Sequence, residues 1–281
     1  MPTTDPSPGA RTVDVTRAGP GGRAAAEDEV AVEEPLEIRV AGETLAITMR
    51  TPGHDRELAL GFLLAEGVIA ALDDVGSVAH CGRTGDAARF NAIDVIPAPG
   101  ARLALPGERV RRGTLSTSAC GVCGRQTIDD LLARCAASQA GDGDLGPRMS
   151  RAALARAVAT LRDRQALFAR TGGCHGASLV DMQGTHIATY EDVGRHNAVD
   201  KLVGASLLAG RLPLTEYALV VSGRTSFEIV QKAVVAGVPI VLGVSAASSL
   251  ALDVARRAGV TLAGFVRDED MVLYANAGRI T

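Results

Sequence analysis

The second half of the chain alternates between short apolar runs and longer amphipathic segments. The runs Ala218–Val221 and Ile240–Val244 are apolar at nearly every position, which is typical of strands buried on both faces of a sheet. The amphipathic segments between the runs fit crossover helices, so the pattern predicts a three-layer α/β/α sandwich. Helices are predicted at about 150–168, 194–209, 225–236 and 246–258, and strands at Ala177–Asp181, His186–Glu191, Ala218–Val221, Ile240–Val244, Thr261–Val266 and Met271–Ala275.

The first half shows the period of two that a strand with one buried face requires. The segments Leu36–Val40 and Leu45–Met49 alternate apolar and polar residues on either side of Ala41-Gly42-Glu43, so we predict a β-hairpin. Asp55 is placed to cap a helix from about Arg56 to Ala71. Further strands are predicted near Val75–Cys81, Phe90–Ile96 and Arg102–Leu105.

Two segments of distinct composition divide the chain. Residues 1–28 are rich in Pro, Gly, Ala, Thr and Asp, and we predict a disordered tail because they cannot bury enough apolar surface to offset their ordering entropy. Residues 141–147 form a Gly- and Asp-rich linker. We therefore expect a small β-rich N-terminal domain at 29–147 and the sandwich domain at 148–281. The fold class is α/β for the sandwich and α+β for the chain as a whole.

Charge and cysteine content narrow the possible partners and the compartment. A net charge of −3 argues against bulk binding to nucleic acid or to an anionic membrane. No apolar run reaches the roughly 18 residues of a transmembrane helix, and the N-terminus lacks the apolar core of a signal peptide. Five cysteines without a secretory signal favour a reducing, cytoplasmic location.

The chemistry of the first half is concentrated in a loop of small residues that carries two cysteines, Cys120 and Cys123. A thiol acts as a nucleophile only as the thiolate, which nearby cations favour, and Arg111, Arg112 and Arg125 flank the pair. We predict that both cysteines are catalytic and that the loop at 110–125 is mobile, because glycines give its backbone freedom.

Three polar segments of the second half lie where strands meet helices, at 170–175, 191–197 and 222–228. Ligands of open α/β sheets bind at the carboxyl ends of the strands. Thr225 and Glu228 have capping-box spacing, which indicates a helix N-terminus suited to phosphate. The segments predict a site for a multiply anionic ligand, with candidate residues Gly172, Gly173, His175, Arg195, His196, Ser222, Arg224, Thr225 and Ser226.

Other interpretations compete with these two sites. A zinc site needs four ligands, and the adjacent pairs His80-Cys81 and Cys174-His175 match the usual spacing poorly. A dithiol oxidoreductase is a second alternative, although the CxxC does not follow a strand of a βαβ unit. A capping or core role for His196, and surface ion pairs for Arg195 and Arg224, are the simpler interpretations of those residues.

The chain resembles the FdhD/NarQ family, the accessory sulfurtransferases of formate dehydrogenase. The resemblance covers about residue 30 to the C-terminus and is specific, because several long motifs occur in the same order. The motifs are Ser116–Gly124, Arg170–His175, Glu191–Lys201 and Ser222–Ser226, with shorter matches at Thr51–Asp55, Glu57–Phe62 and Gly264–Arg267.

The resemblance implies a function and a set of partners. Such proteins take persulfide sulfur from a cysteine desulfurase, with Cys120 as the carrier here. They pass it to the molybdenum of bis(molybdopterin guanine dinucleotide), the cofactor of formate dehydrogenase. A homodimer is implied, as is a C-terminal domain similar to the cytidine deaminase fold. Because H-x-E and P-C-x-x-C are absent, we expect no metal of its own. Cofactor contacts are implied for Phe265, Val266, Arg267, Asp268, Glu269 and Asp270.

Overall fold

A computed structural model of the chain describes residues 9–81, 90–101, 103 and 146–281. Within these residues the strands are β1 Ala10–Gly19, β2 Gly22–Ala31, β3 Glu34–Val40, β4 Glu43–Arg50, β5 Val75–His80, β6 Ala92–Pro97, β7 His175–Val180, β8 His186–Asp192, β9 Ala218–Val221, β10 Ile240–Gly243, β11 Thr261–Arg267 and β12 Asp270–Ala275. The α-helices are α1 Asp55–Ala65, α2 Arg151–Leu161, α3 Ala166–Thr171, α4 Arg195–Leu208, α5 Phe227–Val235 and α6 Ser249–Arg257.

The predicted sandwich is built on a six-stranded sheet with the order β12-β11-β10-β9-β7-β8. Strands β9, β10 and β11 are parallel, whereas β7 runs antiparallel to both β8 and β9, and β12 runs antiparallel to β11. Alternate residues of these strands pack against α4, α5 and α6 on one face and against α2 on the other. The mixed α/β class is therefore confirmed, while the likeness to the cytidine deaminase fold stays a prediction.

The first half forms a four-stranded sheet with the order β4-β3-β6-β5. Leu36, Ile38 and Val40 are buried at every second position of β3, as the period of two predicts. Helix α1 connects the core of this sheet with the core of the sandwich, because α1 packs directly along α4. The two sheets thus share one hydrophobic core. The division into domains at residue 147 stays a prediction.

The predicted disorder of residues 1–28 is wrong from Ala10 onward. Strands β1 and β2 pair along their whole length as an antiparallel hairpin. Residue 32 donates its backbone N–H to the carbonyl of Gly9, and Glu29 forms an ion pair with Arg170 of α3. Composition counts only the apolar surface that a segment can bury, whereas backbone hydrogen bonds and this contact with α3 stabilise the hairpin.

Helix α1 differs from its prediction at both ends. It ends at Ala65 rather than Ala71, because Gly67 adopts a left-handed φ of 71° and the N–H of Val68 bonds to the carbonyl of Leu63. His54, not Asp55, is the N-cap. The Asp55 carboxylate instead accepts a hydrogen bond from Arg50 Nε at 2.9 Å in a buried ion pair.

The helix predicted over 150–168 is broken into two. Ser150 caps α2 by accepting a hydrogen bond from the N–H of Ala153, and a 3₁₀ turn at Arg162–Arg164 follows α2. Gln165 then leaves helical geometry with its side chain buried, and α3 begins after it. No helix in the described part of the chain is long and apolar enough to cross a membrane.

Candidate functional site

The three polar segments converge on one edge of the six-stranded sheet. Strands β8, β9, β10 and β11 end at this edge, and β7 begins there because it runs in the opposite direction. His175 at the start of β7 pairs with Asp192 at the end of β8. The segment after β9 and the first turn of α4 complete the edge, which we call the strand-end site. Its location agrees with the prediction from strand direction.

A buried polar network fixes the loop between β8 and α4. The Asp192 carboxylate pairs with Lys201 Nζ at 2.7 Å, and both residues are almost fully buried. Thr51 donates its N–H to Asp192 at 3.1 Å and its carbonyl accepts from Lys201 at 2.9 Å. Asp192 also accepts from the N–H of Gly194 and from Asn197 Nδ2, at 2.8 and 3.0 Å. The first turn of α4 is therefore held rigidly in place.

His175 and Arg195 form the basic centre of the strand-end site. Gly223 lies against both, because a Cβ on this glycine would lie 3.3 Å from His175 Nδ1 and 4.0 Å from Arg195 Cδ. Arg195 Nε is buried and has no hydrogen-bond partner among the described residues. Burial lowers the pKa of His175, and the positive charges of Arg195 and His196 lower it further. Arg195 Nε thus lacks an acceptor, which a bound anion would supply.

Beside this centre, His196 meets two residues of the β9–α5 corner. His196 Nε2 lies 2.7 Å from Glu228 Oε2 and 3.0 Å from Ser226 Oγ, and the Ser226 hydroxyl donates to Glu228 at 2.9 Å. Burial raises the pKa of Glu228, but the hydrogen bond and charge of His196, with the Ser226 hydrogen bond, outweigh it and lower this pKa from 4.5 to about 2. The carboxylate is therefore ionised at neutral pH.

Ser226, His196 and Glu228 are the residue types of a hydrolytic triad, but their geometry is different. In a triad the serine and the carboxylate bind opposite nitrogens of the histidine ring. Here both lie close to Nε2, and the serine hydroxyl donates a hydrogen bond to the carboxylate. The arrangement does not activate Ser226 as a nucleophile.

The β9–α5 corner places the other candidates of its segment differently. Ser222 Oγ accepts a hydrogen bond from the N–H of Gly176 at 2.9 Å, which ties the end of β9 to β7. Thr225 is fully buried, and its N–H donates to the carbonyl of Ala246. The predicted capping box is wrong, because Ser226 is the N-cap of α5 and makes no side-chain cap hydrogen bond. Arg224 is exposed.

The segment 265–270 connects β11 to β12 at the same edge. Phe265 has a φ of 51° and is 44% exposed, and its N–H donates to the carbonyl of Ser245 at 3.4 Å. Val266 is buried in the core on the α2 face. Arg267 and Asp270 are opposite each other in the antiparallel pairing of β11 with β12. These two residues are exposed, as are Asp268 and Glu269 between them.

Gly172 and Gly173 lie between the end of α3 and His175. Gly172 ends α3 with a left-handed φ of 65°. A Cβ on Gly173 would lie 3.1 Å from Ala31 Cβ, so this glycine faces the β1–β2 hairpin. Arg170 is also committed to that hairpin, with its Nε 2.9 Å from Glu29 Oε2.

The two predicted catalytic cysteines, Cys120 and Cys123, lie outside the described residues, as does the predicted mobile loop at 110–125. Both described cysteines, Cys81 and Cys174, are free. Burial raises the pKa of the Cys174 thiol, which disfavours a thiolate there. No group of three His, Cys, Asp or Glu among the described residues is arranged to hold a metal ion, so a zinc site would need ligands from outside them.

Sequence reasoning missed the roles of several residues in this site. Glu228 was assigned only to a capping box, Asp192 only to the polar segment 191–197 and a family motif, and Lys201 only to that motif. A signal for the buried network was present, because helix α4 carries Asp200 and Lys201 on positions that the helix buries. Buried charged residues need partners, so their presence within an otherwise apolar helix indicates a polar network.

Comparison with known proteins identifies relatives over nearly the whole chain. Residues 31–281 match the model of the FdhD/NarQ family. A sulfur carrier protein FdhD of Anaeromyxobacter dehalogenans strain 2CP-C is 55% identical over 265 residues, covering 91% of this chain and 90% of the relative. The sulfur carrier protein FdhD of Nocardia farcinica is 46% identical over 268 residues, covering 95% and 93%.

A solved structure shows the same fold. The crystal structure described as a formate dehydrogenase accessory protein from Desulfotalea psychrophila has a TM-score of 0.72 and 25% identity. The match covers 98% of this chain and 100% of that chain, so the likeness extends over both sheets.

Proposed function

Because the chain belongs to the FdhD/NarQ family, we propose that it is a sulfur carrier that serves formate dehydrogenase. In this proposal a cysteine desulfurase donates persulfide sulfur, and the acceptor is the molybdenum of bis(molybdopterin guanine dinucleotide). The names of the relatives support sulfur carriage, and the Desulfotalea protein supports the link to formate dehydrogenase. The cofactor is the substrate here, delivered to the dehydrogenase after sulfuration.

The sulfur steps use ordinary thiol exchange. The Cys120 thiolate attacks the outer sulfur of the desulfurase persulfide, which forms a persulfide on Cys120 and releases the desulfurase thiolate. Cys123 then attacks the inner sulfur of this persulfide. The outer sulfur leaves as sulfide for the molybdenum, a Cys120–Cys123 disulfide forms, and a cellular dithiol reduces that disulfide. The flanking Arg111, Arg112 and Arg125 favour the thiolate and the anionic persulfide.

The observation that supports a cofactor site most strongly is the unmet positive charge of the strand-end site. Arg195 Nε is buried without a hydrogen-bond partner among the described residues, Arg224 is exposed, and the charges of Arg195 and His196 lower the pKa of His175. The guanine dinucleotide carries several phosphates, which match this charge. Phe265 is an exposed aromatic ring at the same edge and is open to stacking with a base.

Calorimetry with GDP tests the cofactor site. Arg195→Ala and Arg224→Ala should each weaken GDP binding by about 1.5–3 kcal/mol, the contribution of one charge-assisted contact. Arg17→Ala is a matched control, because Arg17 is an exposed arginine of the hairpin far along β1. Unchanged GDP affinity in both site variants would remove the strand-end site from the proposal.

Two further parts of the proposal concern the setting of the reaction. The five cysteines suit a reducing compartment, so we place the protein in the cytoplasm. The homodimer implied by the family resemblance stays a prediction, and analytical ultracentrifugation measures it directly.

A further inference from the structure

His196 has a ring nitrogen whose two close neighbours are both hydrogen-bond acceptors. The Glu228 carboxylate is ionised and accepts only. The Ser226 hydroxyl donates its hydrogen bond to Glu228, so its oxygen is also an acceptor toward His196. A ring nitrogen 2.7 Å from one acceptor and 3.0 Å from another must carry a hydrogen, because two facing lone pairs repel. The neutral ring is therefore the tautomer with its hydrogen on Nε2.

We propose that Glu228 is a positioning residue of the strand-end site, which fixes a proton on His196 Nε2 and leaves Nδ1 as the ring atom that meets the bound ligand. This inference rests on the proposed function for the identity of the ligand, but not for the state of the ring. The contacts of the His196 ring with Glu228 and Ser226 are both made at Nε2, and His196 is close enough to His175 for its charge to lower the pKa of that ring.

The protonation of the His196 ring determines whether Nδ1 can donate a hydrogen bond to the ligand. An anionic phosphate needs a donor, so it meets Nδ1 when the ring is the imidazolium, which carries a hydrogen on each nitrogen. A carboxylate on the opposite nitrogen stabilises this imidazolium. Glu228 thus supplies the counter-charge for that cation, without touching the ligand.

The Ser226 hydroxyl has a related consequence for α5. Ser226 is the N-cap of this helix, a position where serine usually accepts a hydrogen bond from an amide of the first turn. Its acceptor position is turned to His196 instead, and no side chain caps the helix. By contrast, Ser248 caps α6 by accepting from the N–H of Ala251. The carboxylate that orients the His196 ring also holds this serine away from its own helix.

Two readouts on the whole protein test the role of Glu228. The first is the protonation of the His196 ring in ligand-free protein labelled with ¹⁵N-histidine, with signals assigned from His196→Gln. At a pH at which the ring is neutral, long-range proton–nitrogen spectra should show its hydrogen on Nε2. In Glu228→Gln the neutral amide can donate or accept, so both tautomers should appear. A hydrogen on Nδ1 in the unaltered protein, or an unchanged tautomer in Glu228→Gln, overturns the inference.

The second readout is a double-mutant cycle on GDP binding. His196→Gln and Glu228→Gln should each weaken binding about tenfold, and the double variant should also lose about tenfold, because Glu228 acts through His196. A loss near a hundredfold would show independent roles and contradict the inference. Glu216→Gln, at an exposed glutamate, should bind as the unaltered protein does. If the unaltered protein fails to bind GDP, the cofactor proposal falls, while the ligand-free spectra still decide the role of Glu228.

Discussion

At the scale of single residues, the strand-end site concentrates positive charge that the described residues only partly neutralise. Arg195 Nε is buried without a partner, and His175 has a lowered pKa because burial and two positive neighbours disfavour its charged form. A buried polar group without a hydrogen-bond partner costs free energy in the empty protein. A bound anion would remove this cost, which supports the proposed ligand site.

The first prediction is that GDP binding takes up a proton at His175. A phosphate beside this ring favours its charged form, so the pKa of His175, which burial lowers in the empty site, should rise on binding. Binding should therefore tighten roughly three- to tenfold as the pH falls from about 8 to about 6. Calorimetry in buffers of different ionisation enthalpy measures the proton taken up.

Two variants isolate this effect from titration of the phosphate itself, whose pKa is about 6. His175→Gln should take up less proton than the unaltered protein, whereas His54→Gln, at a histidine whose side chain is 59% exposed, should take up the same amount. Equal proton uptake in His175→Gln and in the unaltered protein would refute the assignment.

The sequence was sufficient to place some site residues and not others. Arg195, His196 and Arg224 follow strand ends, and the rule that strand ends hold ligands brought them to one edge. The role of Glu228 depends on a contact with His196, which lies 32 residues earlier, and the sequence shows no local pattern for it. Likewise, Asp192 and Thr51 meet only because the two sheets pack together.

At the scale of elements, the two halves of the chain contact each other through the close packing of α1 against α4. Gly61 of α1 lies against the backbone of Asp200, where an added Cβ would be 2.0 Å from the carbonyl oxygen. Gly204 of α4 lies equally close to Glu57, at 1.9 Å. The helices approach so closely only because neither glycine has a side chain.

Gly61→Ala and Gly204→Ala should therefore each destabilise the protein by about 2 kcal/mol, because overpacking a tight core costs up to about 3 kcal/mol. The higher helix propensity of alanine offsets only about 1 kcal/mol of this cost. Denaturant unfolding measures the change. Gly19→Ala should be near neutral because the space around Gly19 is open. A stability of Gly61→Ala equal to that of the unaltered protein would show that the helices separate at little cost.

Element prediction succeeded where the pattern was local. Strand β9 was predicted at its observed bounds, because four apolar residues in succession have few alternatives to a buried strand. The hairpin of β1 and β2 was missed, because its residues are mostly exposed and carry little apolar pattern. Its backbone pairing and its ion pair with α3 are tertiary features.

At the scale of the whole molecule, the two sheets are joined by charge as well as by apolar packing. The buried pair Lys201–Asp192 holds Thr51, which follows β4 of the four-stranded sheet, against the loop that positions Arg195 and His196. A second buried pair, Lys232–Asp200 at 2.6 Å, joins α5 to α4. The strand-end site is thus built on a rigid frame that both halves of the chain supply.

The central claim is that the protein carries sulfur on Cys120, and intact-mass spectrometry after incubation with a cysteine desulfurase and cysteine tests it most directly. The unaltered protein should gain a sulfur atom that a thiol reductant removes. Cys123→Ala and Cys81→Ala should still gain it, whereas Cys120→Ala should gain none while still binding GDP. A sulfur adduct on the CxxC segment of Cys120→Ala would contradict the account.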